Sequence, residues 1–229
     1  EGQYALATQA KSFAEADSAT NKFAGSTVLD VANRMASEYN AFALPELAIV
    51  DEHVQLGNTA YFRDNQLIGY FNREQSRGYV AAVYTIRNGV MVLDIPDIGT
   101  ISLKLENTSS KITADLIDDV PHFQIDVSCK AYISEINQDL RKKLSLDVYE
   151  KFETALNEKL KLQIESAIEQ AVIRDNTDIF NFDVALQQQQ TEYWKVHRDS
   201  WAQELTKIKY TVNVTSSVDR VQQEASPAF

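Results

Sequence analysis

The sequence is poor in residues that form covalent or metal cross-links. Cys129 is the only cysteine among 229 residues, so no disulfide can form within the chain. A catalytic thiol needs an exposed, basic setting, whereas Cys129 lies on the apolar side of an alternating run, where a small buried hydrophobe is expected. His53, His122 and His197 are scattered, and none has a second His or Cys at zinc-ligand spacing. We therefore expect no metal site and no cofactor.

Basic residues and long apolar runs are also scarce. Lys and Arg number 22 against 33 Asp and Glu, which gives a formal net charge of -11. Nucleic acids and anionic lipid surfaces attract clustered Lys and Arg, so the composition argues against both as partners. Tyr79 to Tyr84 is among the longest apolar runs, and it is far shorter than the roughly 20 residues of a membrane span. With 44% hydrophobic residues, the composition is that of an ordinary globular protein.

Motifs for catalysis are missing as well. The sequence contains no phosphate-binding glycine loop, no nucleophile elbow and no metal-protease helix. The glutamates between residues 150 and 169 recur at helix-surface spacing, and a solvated helix face accounts for them. We therefore expect a protein without catalytic residues, not an enzyme.

Alternating apolar residues predict strands in the first half of the chain. Residues Val54 to Phe62 alternate, Arg63 to Asn65 form a turn, and Leu67 to Phe71 return, which predicts a hairpin. A second hairpin is predicted from Tyr79 to Ile86 and Val90 to Ile95, because the intervening Asn-Gly suits a type I′ turn.

The period of the apolar pattern then changes from two to about four. Ile101 to Leu105, Ile112 to Leu116 and Phe123 to Ile133 alternate, so one face of the predicted sheet is buried and the other is polar. From Leu146 the spacing is helical and continues to about Asp175. A helix of about 30 residues is about 40 Å long, so it can cross the whole sheet.

Both tryptophans lie in an aromatic stretch, residues 178–201. Trp194 and Trp201 are seven residues apart and Leu205 continues the row, so the spacing predicts one face of a single helix. Phe180 and Phe182 add apolar surface just upstream. We expect this face to pack onto the sheet; the alternative is an aromatic pocket for a ligand or for a side chain of a partner.

Two blocks of sequence resemble the Ger(x)C spore germination lipoproteins. The first is Asp178-Ile179-Phe180-Asn181-Phe182, followed by Tyr193-Trp194, by Trp201 and by the alternating strand Lys209 to Val214. The second is Leu56 to Phe62, with Leu67-Ile68-Gly69 and Arg77-Gly78 beyond it. The family usually has glycine where this chain has Asn181 and Asp183, and a proline-containing basic run where it has Gln187 to Gln190. The family-motif residues, candidates for structure or for an interface, are Asp178, Ile179, Phe180, Phe182, Tyr193, Trp194, Trp201, Gly57, Phe62, Gly69 and Gly78.

The resemblance implies a function. Ger(x)C proteins are the C subunits of GerA-type nutrient germinant receptors, so it implies a lipid-anchored protein at the outer face of the spore inner membrane. Its expected partners are the integral-membrane A and B subunits, and its expected role is receptor assembly and signal coupling without catalysis. The chain starts at Glu1 with neither a signal peptide nor a lipid-accepting cysteine, so the resemblance implies that the first domain and the lipid anchor are missing.

The predicted fold is α+β. We expect a mainly antiparallel β-sheet crossed by one long helix, with a shorter aromatic helix and a C-terminal strand that returns to the sheet. Residues 1–50 are predicted to be the tail of a preceding domain and a connector, residues 51–220 the C-terminal domain, and residues 221–229 a frayed tail.

A second function stays open at this point. The chain could be an extracytoplasmic module that binds a small ligand or a cell-wall fragment between the long helix and the sheet. A cavity lined by Trp194 and Trp201 would favour that module. A tightly filled helix–sheet seam with an exposed apolar patch elsewhere would favour the receptor subunit.

Overall fold

The computed structural model describes residues 28–37, 39–50, 53–86, 88–136 and 144–219. The predicted frayed tail, residues 221–229, and the start of the chain lie outside the described residues. The fold is α+β, as predicted, with mainly antiparallel sheet, one long helix and a C-terminal strand. The β-strands form two sheets rather than one.

A three-stranded antiparallel sheet comes first. It follows helix α1, and its strand order is β1-β2-β3. The predicted hairpin is present as β2 and β3, whose turn is tight because both of its central residues adopt positive φ. The bounds are Val28–Met35 for α1, Ala41–Val50 for β1, His53–Arg63 for β2 and Gln66–Phe71 for β3.

Strand β1 lies within the residues that were predicted to form a connector. Pro45 lies within β1, which is at the edge of its sheet, where proline is tolerated. The pairing of β1 with β2 also shifts register between Pro45 and Leu47. This sheet therefore begins before residue 51, and the domain boundaries stay a prediction.

The predicted strand from Tyr79 to Ile86 is wrong. Residues Arg73–Val83 form helix α2, which Asn72 and Gln75 open with a reciprocal capping box. The apolar run is continuous because the helix is buried on most of its surface, and a short apolar run does not distinguish a strand from a buried helix. The Asn-Gly pair instead lies at the start of strand β4 (Gly89–Ile95), which pairs with a later strand.

The second sheet has four strands in the order β4-β5-β6-β7. The alternating runs at Ile101 and Ile112 are two halves of β5, separated by a bulge that shifts the register between Glu106 and Ser109. Strand β7 returns as predicted and lies parallel to β6, whereas the other pairings are antiparallel. The bounds are Gly99–Ile117 for β5, Val120–Glu135 for β6 and Lys209–Asp219 for β7.

The predicted long helix is present and crosses this sheet. Helix α3 (Leu146–Ile168) continues without a break into a π-helical segment (Glu169–Arg174), and together they span 29 residues. Phe152, Leu156 and Ile164 are completely buried in the core that the helix shares with the sheet.

Helix α3 also caps both edges of the four-stranded sheet. Lys159 Nζ donates to the carbonyl of Val92 on β4 at 3.0 Å, and Glu153 Oε1 accepts from the Val218 N–H on β7 at 2.9 Å. Edge strands with open hydrogen-bonding groups invite pairing with other chains. One helix therefore caps a backbone group on each of the two outer strands of this sheet.

The predicted single aromatic helix is divided. Its tryptophans lie on different short helices, because a 3₁₀ turn follows His197. A second break lies upstream of both, where the backbone of Gln190 leaves the helical region. Trp194, Trp201 and Leu205 are all buried nevertheless, so the predicted face is formed without a continuous helix. The elements are α4 (Phe182–Gln189), α5 (Thr191–His197), the 3₁₀ turn (Arg198–Ser200) and α6 (Trp201–Glu204).

Replacing Gly78 with alanine should destabilise the protein. An added Cβ would lie 2.2 Å from the carbonyl oxygen of Gln163 on α3, and backbone at that place cannot rotate away. Alanine adds about 1 kcal/mol of helix propensity, whereas overpacking of this kind costs about 2–3 kcal/mol. We expect Gly78→Ala to lower the free energy of unfolding, measured by urea denaturation.

Gly57→Ala is the matched control. Its Cβ would meet the flexible Glu46 carboxylate, 2.6 Å away, which can move toward solvent. We expect a change below about 1 kcal/mol. Equal destabilisation by the two variants would contradict close packing of α2 on α3.

Candidate functional site

Asp178 lies at the centre of a buried polar cluster. The chain reaches it after the π-helix and turns at Asn181, which adopts the left-handed conformation (φ 64°) that asparagine tolerates. Asp178 Oδ1 accepts from the Phe182 N–H at 3.1 Å, and Oδ2 accepts from the Asp183 N–H at 2.7 Å. The indole N–H of Trp201 donates to the same Oδ2 at 3.1 Å. Asp178 therefore caps helix α4, whereas the side chain of Asn181, at the N-cap position, makes no capping hydrogen bond.

Arg34 joins the first helix to this cluster. Its two terminal nitrogens contact the two carboxylate oxygens of Asp183 at 3.1 and 3.2 Å, which is a bidentate ion pair across 149 positions of sequence. Arg34 Nε also donates to the carbonyl of Ala41 at 3.2 Å. The start of the three-stranded sheet is thus fixed to the family-motif segment.

Opposing effects act on the pKa of the Asp178 carboxyl. Its complete burial, together with repulsion from Asp183, raises the pKa of this carboxyl to about 7, although Arg34 and the backbone N–H groups of Asp183 and Phe182 lower it. The two oxygens of Asp178 accept hydrogen bonds from three N–H donors. An N–H group cannot accept a hydrogen bond, so these contacts suit the ionised carboxylate and not the protonated acid. The geometry is therefore that of an acceptor-only carboxylate.

The aromatic side chains around Asp178 form a packed core. Phe123 on β6 stacks on Phe182 with ring centroids 4.3 Å apart, and Trp201 meets Phe123 edge-on at 6.3 Å. Trp194 packs edge-on against Trp201 at 5.6 Å. Their side chains are only 4% and 1% exposed. This supports the core interpretation, because rings that are buried in the fold cannot also insert into a partner.

A second polar network links the three-stranded sheet to the π-helix. The hydroxyl of Tyr61 on β2 donates to Asp175 and accepts from Gln170 Nε2 at 3.0 Å. Gln170 Nε2 also donates to the carbonyl of Tyr70 at 3.0 Å, and Arg63 Nη1 donates to the carbonyl of Asp175 at 3.0 Å. Burial, more than these contacts, raises the pKa of Tyr61 to about 12.

The other motif residues do not join the Asp178 cluster. Tyr193 is half-buried, its ring stacks on His197 at 3.9 Å, and its hydroxyl donates to Glu204. Ile179 and Phe180 are buried in the core. Gly57, Phe62 and Gly69 lie in strands of the three-stranded sheet, and Gly78 lies in α2.

Four residues that complete these networks were not among the candidates predicted from the sequence. Each of them contacts a residue more than a hundred positions away in sequence, so no local spacing pattern predicts the contact. Asp183 was noticed only as a departure from the family's glycine. The four residues are Arg34, Tyr61, Gln170 and Asp175.

In the described ranges, no group of three or more His, Cys, Asp or Glu side chains is placed to hold a metal ion. Cys129 is 4% exposed, and burial raises the pKa of its thiol to about 12, so it stays protonated. Among residues 28–219 as far as they are described, no helix is both long and apolar enough to span a bilayer.

The fold has a known counterpart. The chain is similar to the crystal structure of the GerBC protein, with a TM-score of 0.74 and 14% sequence identity. The likeness covers 86% of this chain and 65% of the GerBC chain, so the sequence spans about two thirds of the length of GerBC. At this identity the likeness shows the fold alone. Comparison with curated proteins finds no match.

The sequence also matches a family. The model described as "Spore germination B3/ GerAC like, C-terminal" matches residues 57–222, which is most of the chain. The chain therefore belongs to the spore germination B3/GerAC-like family. The resemblance noted in the sequence is confirmed, and membership associates the chain with spore germination.

Cys129 should be unreactive while the protein is folded. A buried, protonated thiol is a poor nucleophile, so we expect its reaction with a chromogenic disulfide reagent at pH 8 to be at least about a hundredfold slower than in denaturant. The same chain unfolded in guanidinium is the control. Rapid labelling of the folded protein would mean that strand β6 opens or that the thiol is exposed.

Replacing Asp178 with asparagine should destabilise the fold. Either orientation of the amide turns an NH₂ group toward an N–H donor, because both carboxylate oxygens accept hydrogen bonds. A buried donor left without an acceptor costs about 1–3 kcal/mol. We expect a loss of about 2 kcal/mol in the free energy of unfolding, measured by chemical denaturation.

Asp199→Asn is the control for the change of charge. Its carboxylate is 96% exposed, and it lies on the 3₁₀ turn of the same region. We expect a change within about 0.5 kcal/mol. If Asp178→Asn lowers the free energy of unfolding no more than Asp199→Asn does, the central role of Asp178 in this cluster is contradicted.

Proposed function

We propose that the chain is the C-terminal part of a non-catalytic, lipid-anchored C subunit of a spore nutrient germinant receptor. It acts at the outer face of the spore inner membrane with the integral-membrane A and B subunits. Its role is receptor assembly and coupling of the germination signal. The observation that carries the proposal is the family match over residues 57–222.

The use of the motif residues supports a structural role. Asp178, Phe182 and Trp201 make these hydrogen bonds and ring contacts with groups inside the fold. The seam between α3 and the four-stranded sheet is filled by completely buried side chains, and both tryptophans lie in a packed cluster rather than around a cavity. This favours a receptor subunit over a module that binds a ligand in that seam.

An exposed apolar surface supports contact with another protein. The three-stranded sheet buries Tyr61 and Phe71 in the core, and its opposite side carries the half-buried, stacked rings of Phe42 and Phe62. Leu67, the neighbour of Phe62 on β3, is 47% exposed. We name this side the outer face of the three-stranded sheet and assign it to the contact with the membrane subunits, since exposed apolar patches mark interaction sites.

The test is recovery of the receptor from spores. The full-length protein is purified from detergent-solubilised spore inner membrane, and its companions are identified by mass spectrometry. We expect the polytopic A and B subunits with the wild type, and several-fold lower recovery with Leu67→Asp. Val196→Asp, which changes a 75% exposed side chain on α5, is the control and should keep full recovery.

The outcomes separate the two candidate functions. Recovery of the protein alone, with a small molecule retained, would contradict the receptor subunit and favour the ligand-binding module. Equal recovery of A and B with Leu67→Asp would keep the receptor role and contradict the outer face as the contact. Circular dichroism on both variants shows that they are folded.

A further inference from the structure

Strand β5 extends well beyond the strand that pairs with it on one side. Strand β4 has 7 residues and pairs with Gly99 to Leu105, whereas β5 has 19 residues and runs to Ile117. Within the described part of the chain, no strand pairs with the remainder of β5 on this side. We name this stretch, residues 108–117, the open edge of β5.

Other groups cap much of the open edge. The N–H of Thr108 donates to the carbonyl of Ile86 at 2.9 Å. Further along, the side chain of Gln189 on α4 accepts from the Ala114 N–H at 3.0 Å and donates to the carbonyl of Ile112 at 3.3 Å. The glutamine side chain thus takes the place of a neighbouring strand at the far end of this edge.

A gap in this capping lies at Ser110. In a strand, alternate residues direct their N–H and C=O groups to the same edge. Because the backbone groups of Thr108, Ile112 and Ala114 bond at the open edge, the N–H and C=O of Ser110 face it too. Among the described residues, no backbone hydrogen bond outside the β5–β6 pairing involves these two groups or the N–H of Ile112. The gap from Thr108 to Ile112 is about 13 Å long, which is about four residues of extended chain.

A cavity of about 260 Å³ adjoins the gap. Phe180, Val184 and Ala185 supply apolar lining, and Gln188 lines the cavity as well. The C-terminal end of α2 also contributes to the lining. Of the described residues that line the cavity, none carries a charge.

We propose that the gap at Ser110 and this cavity together bind a short extended peptide segment of another protein. The segment pairs antiparallel or parallel with the open edge through the N–H and C=O of Ser110, and it places one uncharged side chain in the cavity. Pairing to a sheet edge gives affinity through main-chain hydrogen bonds, and an adjoining pocket gives specificity.

The two features fit a peptide better than they fit a charged ligand. The open edge offers an N–H and a C=O side by side, which is the donor and acceptor pair that a peptide unit matches. A charged ligand would lose its hydration in the cavity without gaining an opposite charge. A peptide site here goes beyond the receptor role and stands independently of it, since it depends only on β5 and its neighbours.

Two variants of Ser110 test the contribution of its backbone N–H to peptide binding. Ser110→Pro removes the outward N–H, and proline is tolerated where a strand N–H faces away from the sheet. Ser110→Ala keeps this N–H but loses the hydroxyl, which donates to the carbonyl of Ala82 at 2.5 Å. The pair therefore separates loss of the edge donor from loss of the internal hydrogen bond.

The probe is a phage-displayed library of random heptapeptides, panned on the full chain after counter-selection on Ser110→Pro. Enriched peptides are synthesised and their affinities measured by fluorescence anisotropy. We expect binding to Ser110→Pro to be at least about tenfold weaker than to the wild type, and binding to Ser110→Ala to stay within about threefold. We also expect the Ser110 amide to exchange hydrogen faster than that of Thr108 in the free chain, and to slow on binding.

Two results would overturn the proposal. One is a library that yields no peptide above the counter-selected background, and the other is enriched peptides that bind Ser110→Pro as well as the wild type. Circular dichroism checks that Ser110→Pro is folded. If it is not, Val184→Phe, which fills the cavity and leaves β5 unchanged, replaces it, with the same tenfold loss expected and unchanged binding as the contradicting result.

Discussion

The carboxylate of Asp178 is the interaction on which the rest of this structure depends. It accepts three N–H groups from a helix start and from a tryptophan, and it does so while fully buried. A charge in this place is tolerable only because hydrogen bonds and the nearby Arg34 offset the loss of hydration. The aromatic core, helix α4 and the first helix all meet at this residue, so its loss would loosen contacts in several elements at once.

The long helix has a corresponding role for the sheets. Its apolar side fills the seam with the four-stranded sheet, and its charged side chains cap both edges of that sheet. At its end the helix becomes π-helical, and Gln170 in that segment reaches the three-stranded sheet. A π-helical segment widens the turn and re-aims side chains, and such segments are frequent at functional sites. In this protein the segment links the long helix, which packs on the four-stranded sheet, to the three-stranded sheet through Gln170.

The interior and the surface have different parts in the proposed function. The motif residues noted in the sequence are mostly internal, where hydrogen bonding and ring packing restrict what can replace them. The fold is shared with GerBC at 14% identity. The proposed contacts with partners lie on surfaces with open hydrogen-bonding groups or exposed apolar side chains, namely the edge at Ser110 and the face around Leu67.

The sequence by itself determined the features that repeat locally. Alternation marked the β2–β3 hairpin, both halves of β5, β6 and β7, and fourfold spacing marked the long helix, because period two and period 3.6 are set by backbone geometry. Asp178 was singled out by resemblance, whereas the aromatic residues near it were also indicated by helical spacing and apolar content. Their burial agrees with the favoured interpretation of the aromatic face.

Only the tertiary structure decided the rest. The residues from Tyr79 to Val83 became helix instead of strand because a capping box opens α2 and because Gly78 allows it to pack closely on α3. The pairing of Arg34 with Asp183, and of Tyr61 with Asp175, joins residues more than a hundred positions apart. No local pattern encodes such contacts, since they form only when the sheets and the long helix are already in place.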